Sequence, residues 1–270
     1  MKYAFMSFSA PQLDLGALLA LAARLGYDGI EPRIGSEHGH GIELECGPEE
    51  RRRIREQAAA SGVALCCIAT SCKYADPATA PRWIEETRRA ILLAAEIGAP
   101  RLRVFGGAIP TDLSRAAAID QLAAALGSVA GEARQHGVEL CLETHDDWTD
   151  PEHVAETLRR VDHPAVGVNW DYMHTIRVAG TTVDQAFSML RPWIKHVHFH
   201  DGAHRADQLV FLPIGAGDYD NRRVVELLLE AGYDGYLSGE WINWEPYETH
   251  LPRELAAIKQ IEQAAARGAR

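Results

Sequence analysis

Amphipathic stretches alternate with short apolar runs along most of the chain. Stretches such as 21–25 and 227–231 have the pattern of a helix with one buried face, and each ends in a turn that contains glycine. A short apolar or β-branched run follows the turn, as expected for a buried strand. Glycine at these turns fits the left-handed backbone of a helix C-terminal cap. The pattern therefore predicts repeated helix–turn–strand units, and the tetrapeptide Gly-Tyr-Asp-Gly occurs in two of them, at 26–29 and 232–235.

Eight apolar runs predict eight strands, at residues 3–7, 30–31, 64–69, 101–105, 138–143, 166–171, 194–200 and 236–240. Strands that alternate with helices form parallel sheets. Eight such units in 270 residues predict an α/β fold, a (β/α)₈ TIM barrel, with residues 1–270 as a single domain. An open, doubly wound sheet is the alternative. No GxGxxG sequence follows the first strand to support a dinucleotide site in such a sheet.

Composition and charge narrow the class of partner. The formal net charge is −11 and the basic residues are scattered, which disfavours nucleic acid as a partner. No run approaches the roughly 18 apolar residues of a membrane helix, so no membrane association is expected. The N-terminal residues lack the pattern of a signal peptide, and we expect a cytoplasmic protein. Alanine runs at 116–118 and 264–266 are compatible with close helix packing within the chain or in a homo-oligomer.

The five cysteines do not form a recognisable framework. Their number is odd and none forms a paired CxxC motif, which disfavours both disulfides and a structural zinc site. We expect buried, reduced thiols.

Polar residues end four consecutive predicted strands. They are Glu143 on the fifth strand, Asp171 on the sixth, His196, His198 and His200 on the seventh, and Glu240 on the eighth. The C-terminal strand ends of a TIM barrel carry its active site. A solvated loop, a salt bridge, a helix cap or a core histidine explains each residue alone. Together, three carboxylates and an imidazole provide the ligands of a hard or borderline divalent cation.

In this order and spacing, several motifs resemble the xylose-isomerase-like sugar phosphate isomerase/epimerase superfamily. The motifs are GYDGIE at 26–31, LETH at 142–145, the DxxH of 171–174, the HVHxxD of 196–201, PIGAGD at 213–218 and GYLSGEW at 235–241. The resemblance implies one divalent ion, manganese foremost and cobalt or magnesium as alternatives. It implies the metal ligands Glu143, Asp171, His198 and Glu240. It also implies that Glu143 and Glu240 form the catalytic acid/base pair and that His174 contacts the substrate.

Other side chains near the predicted strand ends are candidate substrate contacts. They are His145, His200 and Glu31, and the resemblance adds Arg205, since some epimerases of the superfamily have an arginine just beyond the seventh strand. Many members of the superfamily have lysine where this chain has His200, so substrate identity stays open. For Glu31 the alternative is an internal salt bridge. Trp148, Trp170, Trp241 and Trp244 are candidates for stacking on a sugar ring, with core or rim packing as the alternative.

The ligand set suits proton transfer next to a carbonyl. A metal-stabilised enediolate would form when a carboxylate removes a proton from the substrate carbon. Return of the proton gives an isomerase or an epimerase of a sugar-like substrate, the reaction that we favour. Loss of a leaving group instead gives a lyase or dehydratase with the same ligands.

Two alternatives of other classes follow from the same pattern. An endonuclease-IV-like phosphodiesterase would bind several zinc ions, with Glu31, His38 and His40 as further ligands, and would need a basic surface. A non-catalytic metal- or sugar-binding barrel would not need two carboxylate bases. The glycines of 215–217 fit either a phosphate cradle or a plain turn capped by Asp218, and we favour the turn.

Overall fold

The computed structural model describes residues 1–205 and 208–268. The strands are β1 Lys2–Met6, β2 Gly29–Glu31, β3 Ala64–Leu65, β4 Ile68–Lys73, β5 Arg101–Phe105, β6 Glu139–Glu143, β7 Val166–Asp171, β8 Ile194–His198, β9 Gly202–Arg205, β10 Gln208–Phe211 and β11 Tyr236–Gly239. Nine of them form one parallel sheet in the order β3-β2-β1-β11-β8-β7-β6-β5-β4. The sheet is curled into a nearly closed TIM barrel, which confirms the predicted fold.

The third predicted strand is interrupted, which corrects the prediction of one strand over 64–69. Its first half, β3, pairs with β2, and its second half, β4, pairs with β5 and continues to Lys73. Pro32 follows β2 and has no N–H to donate, and past Glu31 the chain pairs with β4 instead of β3: the Pro32 carbonyl accepts from the amide of Ala69 at 2.9 Å. An isolated parallel bridge between Arg33 and Ala69 brings the two ends of the sheet together.

Helices surround the barrel, and the predicted helical stretches 21–25 and 227–231 lie in the first and at the end of the eighth of them. They are α1 Leu15–Leu25, α2 Pro48–Ser61, α3 Ala80–Ile97, α4 Arg115–Gln135, α5 Pro151–Val161, α6 Tyr172–Arg177, α7 Val183–Leu190, α8 Asn221–Glu230 and α9 Tyr247–Gly268. Gly26 and Gly98 end α1 and α3 with φ of 84°, the left-handed conformation that the sequence predicts for these caps. Within 1–205 and 208–268, no helix is long and apolar enough to cross a membrane.

Residues of the central strands are buried on both faces. All six residues of β7 are buried, as expected for a strand between the barrel interior and the helices. The five cysteines are likewise buried and unpaired.

An antiparallel hairpin of β9 and β10 follows β8 and was not predicted from the sequence. The predicted seventh strand, 194–200, ends at His198, and Asp201 immediately precedes the hairpin. The Asp201 carboxylate accepts hydrogen bonds from the amides of Gly202, Gly215 and Gly217, at 2.8, 2.8 and 3.1 Å. The HVHxxD and PIGAGD motifs therefore meet here. The 215–217 segment is a turn, as favoured, but its amides donate to Asp201 and not to Asp218.

Candidate metal centre

Four buried side chains meet at the C-terminal ends of neighbouring strands. They are Glu143 of β6, Asp171 of β7, His198 of β8 and Glu240, which follows β11, and one ligand atom from each lies within 4.8 Å of the other three. The sheet order makes these four strands neighbours, so their ends come together. This is the set that the resemblance implies. The chemistry of the set, three carboxylates and an imidazole, fits one divalent cation.

Two observations within the cluster support this fit. The Nδ1 atom of His198 lies 3.2 Å from Glu143 Oε1 and 3.0 Å from Glu240 Oε2, so the ring nitrogen and both carboxylates face one point. The Oδ1 atom of Asp171 accepts from the amide of Met173 at 3.1 Å, as a cap of α6. Its Oδ2 atom is buried without a hydrogen-bond partner. A buried carboxylate oxygen without a partner is costly, and a bound cation would offset that cost.

Arg103 is the main residue of this region that the sequence reading missed. Its guanidinium is buried, with Nε 3.1 Å from Glu143 Oε2, and it lies over the ring of Phe105 at 4.1 Å. Burial opposes ionisation of Glu143, but Arg103 and His198 outweigh it and lower the pKa of Glu143 to about 2. The available signal was an arginine inside the short buried run 101–105.

Glu31 lies behind His198 and is completely buried. Its Oε1 is 3.2 Å from His198 Nε2, and its Oε2 is 2.8 Å from His196 Nε2 and 2.7 Å from Ser238 Oγ. Both oxygens are therefore occupied by internal partners. This placement favours the internal salt bridge over the substrate contact predicted for Glu31.

Three further predicted residues surround Asp171. His200 is buried, with Nε2 3.3 Å from Asp171 Oδ1 and Nδ1 3.0 Å from the Glu240 carbonyl oxygen. His174 Nε2 lies 3.6 Å from Asp171 Oδ2. The ring of His174 packs edge-on against His145, with ring centroids 4.6 Å apart. His145 is partly exposed, so the two rings reach from the cluster towards solvent.

The charge of His145 is set by its neighbours. Burial by itself lowers the pKa of this imidazole. A hydrogen bond with Asp146 at 2.8 Å and the negative charge of Glu143 outweigh burial and raise the pKa to about 9. We therefore describe His145 as an imidazolium at neutral pH, a donor beside the cluster.

Other candidate contacts lie farther from the cluster or are enclosed. Arg205 is exposed at the end of β9. Trp148, Trp170 and Trp241 are buried, as in the core-packing alternative.

Trp244 is partly buried and stacks on Trp241, with ring centroids 6.3 Å apart. It also meets Phe211 of β10 at 6.2 Å, and Phe211 packs on His200 at 5.7 Å, so an aromatic wall of Trp244 and Phe211 adjoins the cluster.

The geometry gives little support to a site with several zinc ions. In the described ranges, the groups of side chains that could hold a metal include neither His38 nor His40. His38 Nδ1 is 2.9 Å from Ser7 Oγ, and His40 Nδ1 accepts from the amide of Ile42 at 3.0 Å. A second group, Glu31, Cys66 and His196, lies among the buried residues behind His198.

Comparison with known proteins identifies the family. The profile described as "Xylose isomerase-like TIM barrel" matches residues 19–263. A 67-residue stretch is 42% identical to a 3-dehydroshikimate dehydratase of Bacillus anthracis and covers 24% of each chain. A 169-residue stretch is 25% identical to a putative hydroxypyruvate isomerase of Mus musculus and covers 58% of this chain and 59% of that protein. The chain thus matches less than two thirds of the length of either relative.

Solved structures agree on the fold. An L-ribulose 3-epimerase superposes with a TM-score of 0.82 at 19% identity, over 99% of this chain and 96% of that one. Likeness at this identity establishes the architecture. The family profile covers most of the sequence, so the chain belongs to the xylose isomerase-like TIM barrel family.

Proposed function

We propose that the protein is a divalent-metal-dependent isomerase or epimerase of a sugar or keto-sugar. The observation that carries this proposal is the placement of Glu143 and Glu240 within 3.2 and 3.0 Å of the same His198 nitrogen. Two carboxylates beside one cation site suit proton transfer at a substrate carbon. A site that only binds does not need both. The mouse protein described as a putative hydroxypyruvate isomerase and the L-ribulose 3-epimerase among the similar proteins agree with this proposal.

In this proposal Glu143, Asp171, His198 and Glu240 hold one cation, manganese foremost, with cobalt or magnesium as alternatives. When bound, such a cation would polarise a substrate carbonyl and the neighbouring hydroxyl and would acidify the C–H of the carbon that carries this hydroxyl. Glu143 and Glu240 exchange a proton with that carbon. Return of the proton to the neighbouring carbon gives an isomerase, and return to the opposite face gives an epimerase.

The surrounding side chains suit a polyol. His145 and His174 offer ring N–H donors beside the cluster, and Arg103 holds Glu143 Oε2 so that Oε1 faces His198. Trp244 and Phe211 provide an apolar wall of the kind on which sugar C–H faces rest. We assign His145 and His174 as the polar contacts to substrate hydroxyls. Both ring nitrogens of the buried His200 face Asp171 and the Glu240 carbonyl, so we assign His200 to the support of Asp171 instead of the predicted substrate contact. Arg205 would reach a substrate only from the rim.

Solvent-deuterium exchange tests the reaction. The manganese-loaded protein is incubated in D₂O with a panel of ketoses and keto-sugars, and deuterium at carbon is followed by NMR. We expect exchange with at least one of them and an isomerised or epimerised product. Glu240→Gln should lower the exchange rate by roughly a hundredfold or more, because general acid/base groups contribute about 10²–10⁴. Glu245→Gln, in the same loop but paired with Arg253 at 2.8 Å, is the control and should exchange normally.

A Glu240→Gln variant that exchanges at the normal rate would remove Glu240 from the acid/base pair. If the wild type exchanges no substrate of the panel, the isomerase/epimerase proposal fails.

A dehydratase is the second candidate, because a stretch of the chain is 42% identical to a 3-dehydroshikimate dehydratase. The same carboxylates would remove a proton, and a hydroxyl would leave from the β-carbon. Incubation with 3-dehydroshikimate then produces a conjugated product, which ultraviolet absorbance detects. Formation of that product without exchange on ketoses would favour the dehydratase.

A further inference from the structure

The carboxylate of Glu31 is buried among polar side chains of the barrel interior. Its partners are His198, His196 and Ser238, at 3.2, 2.8 and 2.7 Å. Glu31 comes from β2, whereas these partners come from β8 and β11. An ionised carboxylate inside a barrel is costly unless hydrogen bonds compensate it. One compensating group, His198, belongs to the candidate metal centre, and the other two, His196 and Ser238, are buried beside it.

The orientation of the His198 ring gives Glu31 a specific connection to that centre. His198 directs Nδ1 towards Glu143 and Glu240, and directs Nε2 towards Glu31. If Nδ1 is the atom that binds a cation, the neutral ring carries its proton on Nε2, and this N–H donates a hydrogen bond to Glu31. A carboxylate behind a ligating histidine fixes the tautomer and the ring angle and makes the other nitrogen a better ligand.

We propose that Glu31 is a positioning residue that holds His198 in the orientation and tautomer needed to bind the cation. The inference rests on the metal site of the proposed function. His196 and Ser238 both bind Glu31 Oε2, which leaves Oε1 directed at His198. Their role is to hold the Glu31 carboxylate in place.

Manganese affinity of Glu31→Gln tests the proposal without any substrate. Free Mn²⁺ is titrated by electron paramagnetic resonance, and the melting temperature of each metal-free protein is recorded. Glu31→Gln should bind Mn²⁺ roughly 10–100-fold more weakly, the range typical of such partners. The cobalt-loaded variant should also show an altered d–d absorption spectrum. A role confined to folding would move only the metal-free melting temperature.

Glu254→Gln is the matched control. Glu254 is also a buried carboxylate; it accepts from the amide of Ile214 at 2.7 Å and pairs with Arg253, away from the cluster. Its variant should keep the affinity for Mn²⁺ within about twofold. Ser238→Ala is a milder second variant, which removes one hydrogen bond to Glu31 Oε2 and should weaken Mn²⁺ binding by about fivefold, the worth of one such bond.

Unchanged Mn²⁺ affinity in Glu31→Gln, or in Ser238→Ala should the first variant not fold, would overturn the inference. Failure of the wild type to bind Mn²⁺ would overturn both this inference and the metal site. Metal binding without proton exchange on ketoses would remove the proposed reaction and leave the role of Glu31 standing.

Discussion

The guanidinium of Arg103 is buried in the barrel beside Glu143 Oε2, and the attraction between the two charges offsets part of the cost of removing both from water. Sequence patterns did not reveal this pair. The four candidate ligands could be found from the sequence because each lies at the end of a predicted strand and within a recognisable motif. Arg103 and Glu31 act inside the barrel, and the partner of an inward-facing charge depends on which strands face one another across it.

Arg103→Met should destabilise the metal-free protein by about 3 kcal/mol, because the buried charge of Glu143 loses its cationic partner. Urea denaturation measures the change. Arg52→Ala removes an exposed arginine paired with Glu49 and Glu56 on α2 and should cost well under about 1 kcal/mol. Equal losses in the two variants would mean that the Arg103–Glu143 pair is not a buried, interacting pair.

Among the elements, the interrupted third strand and the β9–β10 hairpin differ from expectation for identifiable reasons. Past β2 the chain pairs with β4 instead of β3, and the apolar run 64–69 alone does not show this change of partner. Most residues of β9 and β10 are exposed or only partly buried, so the hairpin has no long apolar run that would predict it from the sequence. It is organised by Asp201, whose partners Gly215 and Gly217 lie 14 and 16 residues away.

Asp201→Ala should loosen the hairpin and the 213–218 turn. The amides of Gly202, Gly215 and Gly217 would lose their acceptor, at a cost of roughly 1–3 kcal/mol. Hydrogen–deuterium exchange should rise at these amides, while those of β6 and β7 stay protected. Asp218→Ala, exposed in the same turn, is the control and should leave the pattern unchanged. Unaltered protection at 215 and 217 in Asp201→Ala would show that Asp201 does not organise the turn.

At the scale of the whole molecule, the alternation of helices and strands was sufficient to predict the barrel, because eight units of this kind have few ways to bury their apolar faces. Strand order then brings Glu143, Asp171, His198 and Glu240 together, although they are 97 residues apart along the chain at the extremes. Convergence of ligands from four strands also means that a cation would link those strands and stabilise the folded chain.

Manganese should therefore raise the melting temperature. A cation that binds only the folded state adds about 2.7 kcal/mol at a concentration 100 times its dissociation constant. For a chain of this size, that corresponds to a rise of roughly 5–10 °C. Differential scanning calorimetry with and without Mn²⁺ measures the shift, and excess EDTA should reverse it. A melting temperature that does not respond to Mn²⁺ would argue against a cation linking the strands.

Metal stoichiometry of the reconstituted protein tests the central claim most directly. Native mass spectrometry, with elemental analysis, is applied to the wild type, to Asp171→Asn and to the exposed control Asp184→Asn on α7. We predict one manganese, cobalt or magnesium ion per chain in the wild type and the control, and a large loss in Asp171→Asn, whose Oδ2 is buried without a hydrogen-bond partner. Two or three zinc ions per chain, or no bound metal in any of the three proteins, would contradict the account.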